Sequence, residues 1–571
     1  MKINIIDNAN TLHADVMKRA ILKKIPAEFC DEGLKIELCV DGSIGVKDSY
    51  EIAGEGLGWK VSGSDVAGLY YGIGKLLHSA KWAEDSFAPC PPKGVRSPAC
   101  SYRVIYFSVH NFNWFHTAKK EELEEYFEEL VLWGYNGIHC IIPVMNLESF
   151  EDELLFDSVR KSRELFLMAK KFGMLTSFGV NPNQGIKSSP HEFDADPSFD
   201  PLGYIRGNAG RNLCPAIPGA LEHLRQIWIR MYEQYKDIGL DFIQFWPYDE
   251  GGCGCEKCRP WGAKGYLDLC IKAREEALKF FPDVRFVVAA WIFDKPDDQG
   301  EYAGLYKRLK GDVSWADYIM VDAHDDFPKY PLENPVIKPV INFPEISMWK
   351  LYPWGGFGAN PMPKRFQKIW DSSKKILGGG QPYSEGIYED ILKIQCVGYY
   401  WEPDRHYSDI LKEYVNYEYS SLYQDEILKL MELIEENHVA VGYGGEPRLE
   451  TALEAEKIAR RIDKLLYKRN KEAWRWRILF IRAVLDAKRY SYYCNNSMSG
   501  AEANSELRHF AGVYLKDDPE SQEMFLELRR LYHAVPYNKE NQYTLPPYNG
   551  ETWLGNGDTI EDVRKRKANK A

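Results

Sequence analysis

Leu240 to Cys258 reads LDFIQFWPYDEGGCGCEKC, an apolar run followed by acids, glycines and cysteines. Leu240, Phe242, Ile243 and Phe245 form a short apolar run bounded by Gly239 and Pro247. An apolar run that does not alternate with polar residues predicts a strand buried on both faces, as in a parallel sheet. Directly after it stand two carboxylates, Asp249 and Glu250, then two glycines and three closely spaced cysteines. A buried strand that ends in acids is what a parallel α/β barrel offers at the carboxyl ends of its strands.

Working outward, the chain from about Ser101 repeats strand, helix, strand. Strands are expected at Arg103 to His110, Gly137 to Pro143 and Leu175 to Val180, with the opening stretch as the fourth. Val284 to Phe293, Tyr318 to Val321, Lys338 to Phe343 and Gly378 to Tyr383 complete the set. Thr117 is placed to cap a helix striped by Leu123, Phe127, Leu130 and Trp133 and stopped by Gly134. Eight strands separated mostly by helix-length segments predict a (β/α)8 TIM barrel over 99–403. A doubly wound sheet is the alternative, but no GxGxxG fingerprint follows a strand.

Residues 1–98 read as a small α/β domain. Lys35 to Val40 alternates like a half-buried strand, and Leu69, Ile73, Leu76 and Leu77 give a helical stripe. The Pro-rich segment from Ala88 to Pro98 reads as a linker. Residues 404–571 read as a helical domain, with Leu449, Leu453, Ile458, Ile462 and Leu465 at helical spacing. The last thirty residues, with a basic tail from Arg564, read as loop.

A chain of 571 residues exceeds one ordinary core, and its net charge of −12 argues against nucleic acid as a partner. No run is long enough to span a bilayer, and MKINIIDNAN lacks the order of a signal peptide, so a cytoplasmic location is expected. The 16 Trp and 36 Tyr suit stacking against sugar rings, although aromatics also build cores. Oligomeric state is not legible.

These observations together point to sugar hydrolysis, which needs an acid for the leaving oxygen and a second group across the ring. Glu250 fits the acid, and Asp249 a holder of substrate or intermediate; an Asp-Glu pair is also an ordinary loop dipeptide. His110, Trp291, Asp322, His324, Asp325, Glu345, Trp349, Tyr383 and Glu385 fall at expected strand ends and line one rim if the strand count holds. Trp349, Tyr352 and Trp354 are candidates for stacking or for plain loop packing. Cys253, Cys255 and Cys258 form CxCxxC, and Cys214 precedes the neighbouring helix. Four thiolates suit a structural zinc with no open position, so no catalytic cofactor is expected; reduced cysteines in a tight loop are the alternative.

The segment from Trp59 to Leu77, with Gly68-Leu-Tyr-Tyr-Gly72, resembles the small α/β domain that precedes the barrel of family 20 glycoside hydrolases, the β-N-acetylhexosaminidases. It also resembles the domain before the α-glucuronidase barrel. Asn136-Gly-Ile-His139 is similar to the Asn-x-x-His stretch of family 20, and Asp249-Glu250 to its catalytic pair. The resemblance implies Glu250 as acid and Asp249 as the group that orients the substrate's acetamido nucleophile. Arg103 and His139 then join the substrate-binding candidates, and a glycoside or oligosaccharide is the expected partner. The cysteine loop is not a family 20 feature, and Tyr400-Trp-Glu-Pro-Asp404 looks like the α-glucuronidase type of helical domain. An inverting α-glucuronidase-like hydrolase, with Glu250 as acid and Glu345 or Asp322 as base, and a non-catalytic carbohydrate-binding barrel are the alternatives.

Overall fold

In the computed structural model, Phe242–Phe245 is a strand buried at every position, and its two faces serve different layers. Phe242 and, just past the strand, Trp246 pack with Tyr102, Val287 and Tyr318 in one cluster. Ile243 and Phe245 join Leu224, Phe286 and Val288 in another. Successive strand residues point to opposite faces, so one apolar run fills a barrel interior and also seats the surrounding helices. The structure describes residues 1–8, 12–109, 115, 118–142, 144, 147–196, 211–247, 252–291, 300–323, 326–335, 337–347, 354, 359–384, 390–438, 448–496 and 518–531.

The barrel strands are Tyr102–Phe107, Gly137–Ile141, Leu175–Val180, Phe242–Phe245, Arg285–Ala289, Tyr318–Asp322, Val340–Phe343 and Leu377–Gly380. Each runs parallel to the next, and the eighth pairs back to the first. Two short extensions, Glu345–Ser347 and Tyr383–Ser384, prolong the seventh and eighth strands and pair with each other. The helix before the second strand is Lys120–Trp133, with Glu122 accepting from the Lys119 N–H. Thr117, the expected cap, lies outside the described residues. Gly134 does end this helix, in the left-handed region at φ 104°, donating to Leu130 and Val131. A Cβ there would come within 2.2 Å of the Trp401 ring nitrogen, so close approach as well as φ demands glycine.

A mixed α/β sheet precedes the barrel. Its order is Glu28–Phe29, Lys2–Asp7, Leu34–Val40, Gly58–Gly63, Tyr50–Glu55, Gly94–Arg96. The helix Val66–His78 is capped by Asp65 accepting from the Gly68 N–H, and its stripe of Leu69, Ile73, Leu76 and Leu77 is fully buried. The Pro-rich segment expected as a linker instead contributes the edge strand Gly94–Arg96, antiparallel to Tyr50–Glu55. Proline is compatible with an edge, where one row of N–H groups needs no partner.

A helical region follows, with Tyr407–Glu418, Gln424–Glu436, Leu449–Leu465, Trp474–Asn495 and Pro519–Leu531 as its longer members. The stripe expected on Leu449–Leu465 is corrected: Leu453 and Leu465 are 44% and 45% exposed. Ala452, Ala455, Ala459 and Ile462 are the buried face. Small side chains at that spacing let this helix lie close against Trp474–Asn495. No helix among the described residues is long and apolar enough to cross a membrane.

Arg103 lies at the closed end of the barrel, near the start of the first strand. It is wholly buried, pairing with Asp48 at 2.8 Å and donating to the carbonyls of Gly134 and Cys100, with Tyr71 and Trp401 flanking its guanidinium. Its expected role in substrate binding is corrected: it clamps the N-terminal sheet to the barrel floor. Nearby, burial opposes the charge of Glu413, but Lys75 at 2.8 Å and Arg405 hold its carboxyl down to about 2. Burial also lowers His78, stacked on Trp133 at 3.6 Å, to about 3. A cleft lined by Tyr50, Lys75, His78, Trp133, Trp401 and Glu413 belongs to this end and not to the strand carboxyl ends.

Both groups bind fewer protons folded than unfolded, so stability falls as pH drops. His78 contributes from about 6.5 down to 3, and Glu413 from about 4.5 down to 2. Glu413→Gln is expected to cost about 3 kcal/mol at neutral pH, because two cations lose their partner. It should also flatten the acid limb below pH ~4.5, read by thermal melts across pH. A variant with wild-type stability and an unchanged acid limb would show that this cluster is not what joins the layers.

Candidate active site

Five aromatic side chains meet at the carboxyl end of the barrel. Tyr106 comes from the first strand, Trp246 follows the fourth, Trp291 follows the fifth, Phe343 ends the seventh, and Tyr383 lies on the extension of the eighth. Ring centroids are 4.9 Å apart for Tyr106–Tyr383, 5.5 Å for Phe343–Tyr383, 5.0 Å for Trp246–Phe343 and 5.5 Å for Trp246–Trp291. They form a collar. Below it Tyr102, Phe242 and Tyr318 contact one another and fill the interior, so the collar is the floor of a bowl and not the wall of a pore.

Polar groups sit at the same level. His139, on the second strand, is 1% exposed and shares a hydrogen bond of 2.9 Å between Nδ1 and Ser177 Oγ. Its ring lies beside Tyr106 at 4.8 Å and over Gly179, where a Cβ would fall 2.9 Å from Nε2. Gly179 is therefore what admits the imidazole. Gln244, level with Gly179 and Val287 in the strand register, is fully buried, and neither its amide oxygen nor its nitrogen has a partner among the described residues.

Asp322 pairs in register with Phe343, and Glu345 with Tyr383. Parallel partners face the same side, so both carboxylates face the collar; they are 8% and 4% exposed. Acids beside aromatic faces, shielded from water, exert stronger fields on a bound ligand than exposed ones would.

Among the expected rim groups the structure therefore brings together His139, Trp291, Asp322, Glu345 and Tyr383. Asp249 and Glu250 lie outside the described residues, as do His110, His324, Asp325, Trp349, Tyr352 and Glu385. The chain is described on both sides of the Asp-Glu pair: Trp246 donates its N–H to Val180 at 2.9 Å, and the cysteine loop follows from Gly252. Trp354 is corrected as a stacking candidate, being 1% exposed, donating to Asp486 at 2.8 Å and covered by Arg482. It anchors the helix Trp474–Asn495. The residues missed are Tyr106, Trp246, Gln244 and Phe343. Counting by twos from Phe242 puts Gln244 and Trp246 on its face, a signal present in the opening stretch.

Beside the mouth, the sulfurs of Cys214, Cys253, Cys255 and Cys258 all lie within 4.8 Å of one another, and all four cysteines are free thiols. Such a constellation can hold a metal ion. Their crowding shows in their acidity. Hydrogen bonding from Cys258 and from backbone N–H groups pulls Cys253 below the usual thiol range, while burial pushes Cys214 up. The bond to Cys253 also pushes Cys258 up.

No protein-family model and no curated protein sequence matches the chain. Among solved structures, a family 89 glycoside hydrolase from Clostridium perfringens, in complex with 2-acetamido-1,2-dideoxynojirimycin, superposes with TM-score 0.60 at 13% identity, over 99% of this chain and 74% of that one. A family 138 enzyme targeting pectin rhamnogalacturonan II gives 0.54 at 13%, over 100% and 98%. A family 20 exo-β-N-acetylglucosaminidase from Vibrio harveyi gives 0.46 at 12%, over 73% and 72%. The chain has a glycosidase-like barrel fold.

Proposed function

We propose that this chain is a glycoside hydrolase acting on a β-linked N-acetylhexosaminide, with Glu250 as general acid and Asp249 orienting the acetamido group. The observation that carries the reading is the bowl: an aromatic collar with inward, buried Asp322 and Glu345 at the carboxyl ends of a closed parallel barrel. Sugar rings stack on aromatic faces, and carboxylates take their hydroxyls. In the sequence the Asp-Glu pair comes shortly after Pro247, and it is similar to the family 20 pair. The family 89 enzyme, of the same fold, is complexed with a 2-acetamido sugar mimic, which supports the amino-sugar class.

On this reading Glu250 donates its proton to the glycosidic oxygen as the C1–O bond breaks. The acetamido oxygen, held by Asp249 through the amide N–H, closes on C1 from the other face. Water then opens the cyclic intermediate while Glu250 takes back a proton, so the enzyme returns unchanged. A panel of aryl glycosides in both anomers tests the class. Turnover is expected on β-N-acetylglucosaminides or β-N-acetylgalactosaminides, and silence across the panel would leave a binding barrel.

Trp291 is partly exposed within the collar, which makes it the stacking surface a ligand reaches. Trp291→Ala should raise KM about tenfold, since an aromatic stack contributes about 1.4 kcal/mol. An unchanged KM would make the collar mere packing.

A second reading keeps Glu250 as acid but takes Glu345 as general base in an inverting reaction. Its inward position, in register with Tyr383, is what favours it. Inversion needs carboxyls far enough apart to admit a water. We take the cysteine cluster as a structural zinc site on either reading.

A further inference from the structure

The four cysteines come from two separate loops. Cys214 lies between the third strand and the helix Ala220–Glu233, and the other three follow the fourth strand. The loops are already laced together, since Asp196 donates its N–H to Cys253 Sγ at 3.4 Å and accepts from the Gly254 N–H at 2.6 Å. Cys214 in turn donates its N–H to the Phe193 carbonyl at 2.8 Å. In the knuckle itself, the N–H groups of Cys258 and Arg259 both bond the Cys255 carbonyl, at 3.0 and 3.1 Å, turning the chain so that Cys255 and Cys258 face the same point.

The sulfur spacing fits a single tetrahedral ion and not a multi-iron cluster. Cys214 Sγ lies 3.7 Å from Cys255 Sγ and 3.9 Å from Cys258 Sγ. Zinc bound to four thiolates at ~2.3 Å in a tetrahedron separates its sulfurs by ~3.8 Å. An iron–sulfur cluster interposes several atoms between its cysteines and needs them farther apart. A disulfide needs ~2.05 Å and would leave the other pair unexplained.

We propose that Cys214, Cys253, Cys255 and Cys258 hold one zinc ion that fastens the loop after the third strand to the loop carrying Asp249 and Glu250. Four protein ligands leave no position for water or substrate, so the metal is structural. Its consequence for chemistry rests on the hydrolase reading. In the sequence, Asp249 and Glu250 stand between Phe245, the last residue of the fourth strand, and Cys253. An ion fixing the chain three residues after Glu250 would restrict the acid, which on that reading makes the cysteines positioning residues.

The test uses the full chain purified without added metal. About one zinc per chain is expected, and exchange for Co(II) should give thiolate-to-metal absorption with the intense visible bands of a tetrahedral site. Cys255→Ser/Cys258→Ser should lose the ion, while Cys494→Ser, at an exposed cysteine, should keep it. Protein without metal, with no Co(II) spectrum and four alkylatable thiols or two disulfides, would overturn the site. Because three of these thiols are buried, the deciding result in the wild type is alkylation that appears only on chelation and is lost again on adding zinc, which holds even if the double variant fails to fold.

For the positioning role, zinc removal should lower kcat more than tenfold on poor leaving groups and much less on activated ones, with KM little changed. An equal loss on both would mean general unfolding and would overturn the role. Zinc-loaded protein inactive on every glycoside would refute the hydrolase reading and leave the metal count standing.

Discussion

Glu250→Gln is expected to lower turnover on the order of a hundred- to ten-thousand-fold while the fold is kept. The substitution preserves shape and removes only the proton, so the loss should track how much the leaving oxygen needs it. Alkyl and disaccharide substrates should show the full effect, and aryl glycosides with acidic phenols should show little of it. In free energy the range is about 3–5 kcal/mol, too large for a residue that merely touches substrate. Near-normal rates on poor leaving groups would remove Glu250 from the mechanism. Thermal stability should be unchanged, which separates lost chemistry from lost structure.

Asp249→Asn should be comparably severe on N-acetylated substrates. A carboxylate accepts from the acetamido N–H and stabilises the positive charge that develops as the ring closes; an amide does neither well. The variant should also bind a thiazoline mimic of the cyclised intermediate at least tenfold more weakly. Glu345→Gln provides the contrast. With substrate assistance it should affect KM more than kcat, because Glu345 would only hold hydroxyls. If instead Glu345→Gln abolishes turnover while Asp249→Asn keeps its response to thiazoline, Glu345 is the base and the reaction inverts.

The barrel was legible because a strand buried on both faces is an unbroken apolar run, and such runs recur between helix-length segments. Leu175–Val180 matches the expected strand at both ends. The same property hides the site. When both faces are apolar, nothing local tells which residues face the barrel interior, so Trp246 and Phe343 read as ordinary core until neighbours pair. Arg103 was grouped with the substrate-binding candidates although it opens the expected strand Arg103 to His110, at the end opposite the rim.

Trp354 looks like a sugar platform in a polar loop, yet Asp486, more than a hundred positions later, takes its N–H. The helix Leu449–Leu465 was recognised by its leucines, although alanines form its buried face. Leucines at that spacing mark a helix; they do not say which side is covered. The cysteines were legible in the sequence, because CxCxxC restricts three sulfurs to one turn and Cys214 precedes the neighbouring helix; the structure brings all four sulfurs together.

The stereochemistry of hydrolysis bears most directly on the central claim that the acetamido group of the substrate is the nucleophile. Proton NMR of an aryl β-N-acetylhexosaminide during the first minutes of turnover, before mutarotation, reads the anomer released. The β-anomer is expected first, by two successive inversions at C1. The α-anomer appearing first would mean a single displacement by water and would contradict it.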